Sequence, residues 1–305
     1  MTPRGINGFV SREVATDRGM VFCQEGGSGP PLLLLHGFPE TSLMWHAVAP
    51  LLANDFTVVA ADLPGYGRSD CPIGGEGHSA MSKRALASTL VAAMKVLGHE
   101  SFAIIGHDRG GRVAYRAALD HPDVVTVVAV LDVIPTYEVW ERADARLALS
   151  FWPFSLLAQP APLPERLLLT APGAVIDNAL SEWGSPPDIF PSWLRNAYVA
   201  ALSDPAHIHA ICEEYRAAAG IDREIDRADL KTARRIRCPL LALWSDRGGL
   251  AAWYGDAGGP LGIWRRWAED VHGHAVAGGH FFPEEQPEAT ADAISRFLRE
   301  CATGH

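Results

Sequence analysis

Five stretches of unbroken apolar sequence, each stopping at turn chemistry, set the strongest limit on how this chain can fold. They are "PLLLLHG" (31–37), "FTVVAADLPG" (56–65), "FAIIGHD" (102–108), "VTVVAVLD" (125–132) and "PLLALWSD" (239–246). A strand with one wet face alternates apolar and polar residues. These runs do not alternate, so both faces must be covered, as in a parallel sheet between helical layers. Helical patterns fill the gaps at 82–98 and 110–120, and a last one at 287–301 begins with Pro287, a residue tolerated in a first helical turn. Alternation of this kind predicts a doubly wound α/β fold with a mostly parallel sheet. The stretches around 8–14 and 19–25 fit an antiparallel edge hairpin.

The alternation fails between about 134 and 225. That region is rich in Trp, Pro and Ala, and its patterns, such as "PSWLRNAYVAALSD" and "AHIHAICEEYRAAAG", are helical. It is expected to be a cap inserted over the C-terminal edge of the sheet, where open α/β sheets bind ligands. The expected division is a core of residues 1–133 and 226–305 and a helical cap of residues 134–225.

The run at 102–108 ends in Gly106-His107-Asp108-Arg109-Gly110. This is the G-x-Nu-x-G form of a nucleophile elbow, a strained strand-to-helix turn on which neighbouring Cβ atoms would clash. The plainer reading is that Asp108 caps the helix that follows. As a nucleophile, a carboxylate suits displacement of a leaving group from sp³ carbon, which forms an ester. Hydrolysis of that ester requires a base for water and donors for an oxyanion. His280, in "AVAGGHFFPEEQP", stands between the last strand-like run and the final helix, and the order nucleophile, acid, histidine is that of α/β-hydrolases. The acid is Asp132, ending the strand after the elbow helix, in preference to Asp246, which ends the next strand. His272 and His274 form an H-x-H with no third ligand nearby, so neither a metal nor an organic cofactor is expected. Arg112 falls four residues after Asp108, on the same helical face. Two guanidinium groups at a helix start, Arg109 and Arg112, suit a small carboxylate.

Composition narrows the partners. A net charge of −10 disfavours nucleic acid and anionic membranes. Five scattered cysteines without a CxxC point to reduced thiols. With no secretory leader and no apolar run near the length of a span, a cytoplasmic location is expected.

The segments "LLLLHGFPETSLMW", "ADLPGYGRSDCP", "GHDRGGRVAYRAALDHP", "LDVIPTYEVW", "LAQPAPLPE" and "GGHFFPEEQP" together resemble the haloacetate dehalogenases, including fluoroacetate dehalogenases, of the α/β-hydrolase superfamily. The resemblance implies an α/β-hydrolase fold with a cap. It implies that Asp108 attacks the halogen-bearing carbon of a short haloacid, that Asp132 orients His280, and that the backbone N–H groups of Phe38 and Arg109 hold the oxyanion. Arg109 and Arg112 would grip the substrate carboxylate, with water as second substrate and a homodimer as the assembly. The halide pocket departs from the family pattern. Pro153 and Phe154 stand where a His-Trp pair is expected, and neither side chain donates a hydrogen bond. Trp152, one residue away, and Tyr215, which matches the family tyrosine, are the expected halide donors. The loss of donors leads to the expectation that chloroacetate and bromoacetate are turned over better than fluoroacetate. The alternatives are an epoxide hydrolase, with Tyr137, Tyr198 and Tyr215 available as ring-opening acids, and a non-catalytic small-acid receptor.

Overall fold

The computed structural model describes residues 5–72 and 74–303. Its strands are β1 (Val10–Thr16), β2 (Gly19–Gly27), β3 (Pro31–Leu35), β4 (Thr57–Ala61), β5 (Phe102–His107), β6 (Val125–Leu131), β7 (Leu240–Ser245) and β8 (Val271–Val276). They form one eight-stranded sheet in the order β1-β2-β4-β3-β5-β6-β7-β8. Pairing is parallel from β4 to β8, while β2 runs antiparallel to both β1 and β4. All five apolar runs are strands of this sheet. The expected hairpin is β1–β2, and β2 is interior because it also joins β4. β8 is not among the apolar runs because it is the other edge, and most of its residues meet solvent.

Helices α1 (Val48–Leu52), α2 (Lys83–Val96), α3 (Arg109–Asp120) and α15 (Pro287–Thr303) accompany the sheet. Ser82 starts α2 by accepting a hydrogen bond from the Ala85 N–H at 3.2 Å. Leu32, Leu33, Leu34 and Leu35 are at most 1% exposed, and each contributes about 1.5–3 kcal/mol by burial. From β3 the chain moves to β4 on one side and then to β5 on the other. Such a reversal opens a crevice beyond the carboxyl ends of the two diverging strands, here β3 and β5.

Between β6 and β7 the described residues hold no strand. The helices there are α4 (Thr136–Glu141), α5 (Ala145–Ser150), α6 (Pro153–Leu156), α7 (Leu163–Thr170), α8 (Pro172–Glu182), α9 (Ser192–Ala201), α10 (Pro205–Ala219) and α11 (Ile221–Lys231). Asp222, Asp226 and Asp229 recur at helical spacing on one face of α11 and fasten it to the core. The Lys83 N–H donates to Asp222 (2.9 Å), the Tyr115 hydroxyl to Asp226 (2.7 Å) and Arg116 to Asp229 (2.6 Å). The boundary expected between 225 and 226 therefore falls inside one helix, and the break in the backbone lies at Gly220, between α10 and α11. After β7 come α12 (Gly249–Trp253) and α13 (Gly259–Trp264), and after β8 comes α14 (Phe282–Glu285).

Candidate active site

Four strand ends meet at the crevice. The loop after β3 brings Phe38, β5 ends at Asp108, β6 ends at Asp132, and the turn after β8 carries His280. Asp108 has φ 44° and ψ −112°, a conformation that costs on the order of 1–3 kcal/mol and persists only where the surroundings impose it. Those surroundings are backbone hydrogen bonds: Asp108 N–H to Leu131 O (3.1 Å), Gly110 N–H to His36 O (2.9 Å) and Arg112 N–H to Asp108 O (3.2 Å). The glycines permit the close approach. A Cβ on Gly106 would stand 2.2 Å from the Gly110 carbonyl oxygen, and one on Gly110 would stand 2.5 Å from that of His36.

The side chain of Asp108 does not cap α3, which removes the plainer reading of this residue. Its Oδ1 instead accepts the Phe38 N–H at 3.0 Å. The Arg109 N–H is the first of α3 and lacks an intrahelical acceptor, as do all first-turn donors. Of the two amides expected to stabilise an oxyanion, that of Phe38 donates to the carboxylate and that of Arg109 follows it in the chain. Burial pushes the Asp108 pKa up, but the positive fields of His280, Arg109, His107 and Arg112 more than offset it and hold the group below the usual carboxylate value.

Asp132 also has a positive φ, 54°. Its Oδ2 lies 2.6 Å from His280 Nδ1, and its Oδ1 accepts the Ser245 N–H at 3.0 Å. Asp246, the alternative, turns away and accepts the Gly278 N–H at 3.1 Å. With Nδ1 facing a carboxylate, Nε2 is the ring atom left to exchange a proton, and this buried nitrogen has no hydrogen-bond partner. The ring is walled by His107, Phe151 and Trp183 at 4.7, 5.7 and 5.5 Å between centroids. The His280 N–H donates to the Trp183 carbonyl of the cap at 2.8 Å.

Asp108, Asp132, His280 and Arg112 face a cavity of about 30 Å³. Its apolar wall comes from Val139, Leu147, Phe151 and Phe154 of the helical segment between β6 and β7, and from Leu250, Trp253 and Tyr254 of the segment after β7. So small a space leaves no room for a bulky ligand.

The two arginines differ. Arg112 Nη1 donates to the Ile134 carbonyl at 3.0 Å, its buried Nε has no partner, and no acid pairs with it among the described residues. Burial and the charge of Arg109 push its pKa down. Arg109 does not line the cavity wall. Its Nε and Nη2 make a fork to Glu214 of α10 at 2.8 and 2.6 Å, and its guanidinium lies 3.9 Å above the Tyr215 ring. Only its buried Nη1 is without a partner. Of the two arginines expected to grip a carboxylate, Arg112 faces the cavity and Arg109 is engaged by Glu214 through Nε and Nη2.

The two expected halide donors are not part of this cavity wall. The Trp152 indole N–H donates to Asn178 at 2.8 Å and does not face the cavity. Tyr215 is buried beneath Arg109, edge-on to Phe38 and Phe154, and is absent from the cavity wall. Phe154 does occupy the wall, as the alignment of that segment implied. The sequence reading missed Trp253, which ends the short helix α12, and Tyr254, which follows it; their side chains make no hydrogen bond among the described residues. It also missed Glu214 and a buried acid pair behind the histidines. Glu40 Oε2 is 3.5 Å from His107 Nδ1, and Glu284 accepts the Tyr198 hydroxyl at 3.1 Å. Burial, assisted by the charge of Asp108 and only partly opposed by Glu284, pushes Glu40 up to about 8. The H-x-H pair lies on β8, where His272 meets Asp270 at 2.8 Å.

The strand order, the elbow and the histidine after the last strand are the marks of an α/β-hydrolase. A family model described as the alpha/beta hydrolase fold matches residues 30–250. The chain is 41% identical over 300 residues to the fluoroacetate dehalogenase of Burkholderia sp, covering 98% of this chain and 97% of that protein. It is 31% identical to a soluble epoxide hydrolase of Corynebacterium sp. (strain C12), over 89% of this chain and 91% of the relative. A solved structure of a putative alpha/beta hydrolase from Nostoc sp PCC 7120 superposes with a TM-score of 0.92 at 44% identity, covering 96% of this chain and 99% of the other. The protein belongs to the haloacetate and fluoroacetate dehalogenase family of the α/β-hydrolases.

Proposed function

We propose that this enzyme hydrolyses short 2-haloacids to 2-hydroxyacids and halide. The observation that carries the reading is Arg112, a buried guanidinium without an acid partner, facing the same small cavity as Asp108. A neutral haloalkane or epoxide leaves such a charge uncompensated, whereas a carboxylate completes it.

In the proposed mechanism, an Asp108 carboxylate oxygen attacks C2 of the haloacid. The carbon–halogen bond breaks with its electron pair leaving on the halide, and configuration inverts at a chiral C2. His280 Nε2 then takes a proton from water, and the resulting hydroxide adds to the ester carbonyl carbon of Asp108. The Phe38 and Arg109 amides stabilise the oxyanion. Collapse expels the hydroxyacid oxygen, which takes back the proton from His280, so the water oxygen stays in the Asp108 carboxylate. Asp132 stabilises the imidazolium.

The cavity wall has Phe154 in place of a donor, and Trp152 is engaged by Asn178. Fluoride depends most on donated hydrogen bonds, and losing one costs about 2.7–4 kcal/mol by analogy with an oxyanion donor. Chloroacetate and bromoacetate are therefore the proposed preferred substrates. Tyr254, whose hydroxyl makes no hydrogen bond among the described residues, favours one second reading, epoxide opening, in line with the epoxide hydrolase relative. Halide release from fluoro-, chloro- and bromoacetate, assayed beside hydrolysis of styrene oxide, separates the two. The dehalogenase reading expects halide from chloroacetate, its loss in Asp108→Asn, and no diol. Diol without halide overturns it, and binding of haloacid without turnover points to a receptor.

A further inference from the structure

Arg109 and Arg112 sit three residues apart on the elbow helix, yet only one of them meets an acid. The acid is Glu214, and it belongs to a closed four-member set. Lys83 Nζ of α2 also contacts Glu214, and Lys83 is held in turn by Asp222 of α11, through its backbone N–H at 2.9 Å and its ammonium at 3.4 Å. The side chains of Arg109, Lys83, Glu214 and Asp222 are all at most 4% exposed. Two cations and two anions cancel, which is the arrangement buried charges require.

We infer that Glu214, acting through Arg109, sets how tightly the cavity holds a small carboxylate: it pairs with one of two neighbouring guanidinium groups and leaves Arg112 as the one without an ion-pair partner. The inference rests on the carboxylate-binding reading of the cavity. Both arginines left open would place two positive charges on a single carboxylate, and a hydroxyacid product carrying that same carboxylate would leave slowly. Pairing with Glu214 keeps the Arg109 Nη1 and its position against Tyr215 while offsetting part of its field. Glu214 is thus a positioning and specificity residue and touches no reacting atom.

Opposite charge changes within the set have opposite effects, which distinguishes this account from simple structural support. Glu214→Gln keeps an acceptor for Arg109 but removes a negative charge. Lys83→Met removes a positive charge far from the cavity wall. Calorimetric titration with acetate, a carboxylate without a leaving group, is expected to show roughly tenfold tighter binding in Glu214→Gln and roughly tenfold weaker binding in Lys83→Met, the scale of one charge acting over ~10 Å at an effective dielectric of ~20. Asp222→Asn, which also removes a negative charge, carries the tightening arm if Glu214→Gln does not fold. Weaker or unchanged binding in both Glu214→Gln and Lys83→Met overturns the inference. If the unmodified enzyme binds acetate and Arg112→Leu abolishes that binding, the carboxylate reading survives such a result. If the unmodified enzyme does not bind acetate at millimolar concentration, it is the carboxylate reading that fails.

Discussion

The sheet end of the site and the cap end are built by different rules. At the sheet end, Asp108 and Asp132 each terminate a buried strand in a positive-φ conformation, and His280 follows the last strand. The two aspartates are fixed by backbone hydrogen bonds to the neighbouring strands, so their placement depends on strand registers that the core enforces. At the cap end, Val139, Leu147, Phe151 and Phe154 converge from three short helices and a turn, and Trp253 and Tyr254 come from elsewhere in the chain. No ladder sets those positions; side-chain packing does. Attack and hydrolysis thus belong to a rigid frame, and substrate choice to a repackable wall.

The largest expected effect breaks the sheet end. Asp132→Asn should cut kcat for chloroacetate by roughly 10³–10⁴, by analogy with loss of the histidine-orienting carboxylate in a serine-protease triad. Asp246→Asn, at the neighbouring strand end, should leave kcat within about twofold, since its carboxylate meets the Gly278 amide and Arg247 rather than His280. Equal losses in the two variants would mean that the acid has been assigned to the wrong strand. Next comes the cap. Phe154→Trp places an indole N–H in the wall and should raise fluoride release relative to chloride release by roughly 10- to 100-fold. An unchanged ratio in a fluoride-electrode assay would remove Phe154 as the reason for any fluoroacetate deficit.

A third test probes the buried support of the sheet end. Glu40 is raised from its ordinary 4.5 to about 8, so over that window the folded chain holds a proton that the unfolded chain has released. Stability from this group is complete below 4.5 and is lost as pH rises through about 8. Glu40→Gln keeps a neutral group, so its Tm relative to the parent should climb by about 5 °C between pH 5 and 8.5. A pH-independent difference would place the proton elsewhere. The smallest effect returns to the cap: Trp152→Phe should change chloroacetate turnover less than twofold, because its donor is taken by Asn178.

What the sequence revealed follows the same division. The elbow, the acid and the histidine were legible because strand ends and glycine spacing leave local traces, and β3 to β7 announced themselves as unbroken apolar runs. β8 escaped that pattern because an edge strand in contact with water need not be apolar. At the cap, the alignment placed Phe154 correctly, but local sequence carries no sign that Trp152 would turn toward Asn178, 26 positions later. Glu214 and Glu40 were missed for a related reason. Whether an acid on an amphipathic helix or in a loop is buried against a cation depends on tertiary packing, which no periodicity reports.

The account stands on a covalent ester at Asp108, and isotope transfer tests that directly. In a single turnover of chloroacetate in H₂¹⁸O with enzyme in excess, mass spectrometry of the peptide containing residue 108 should show heavy oxygen in the Asp108 carboxylate and unlabelled glycolate. Heavy oxygen in glycolate with an unlabelled Asp108 would mean that water attacks the substrate carbon itself, and would contradict the account.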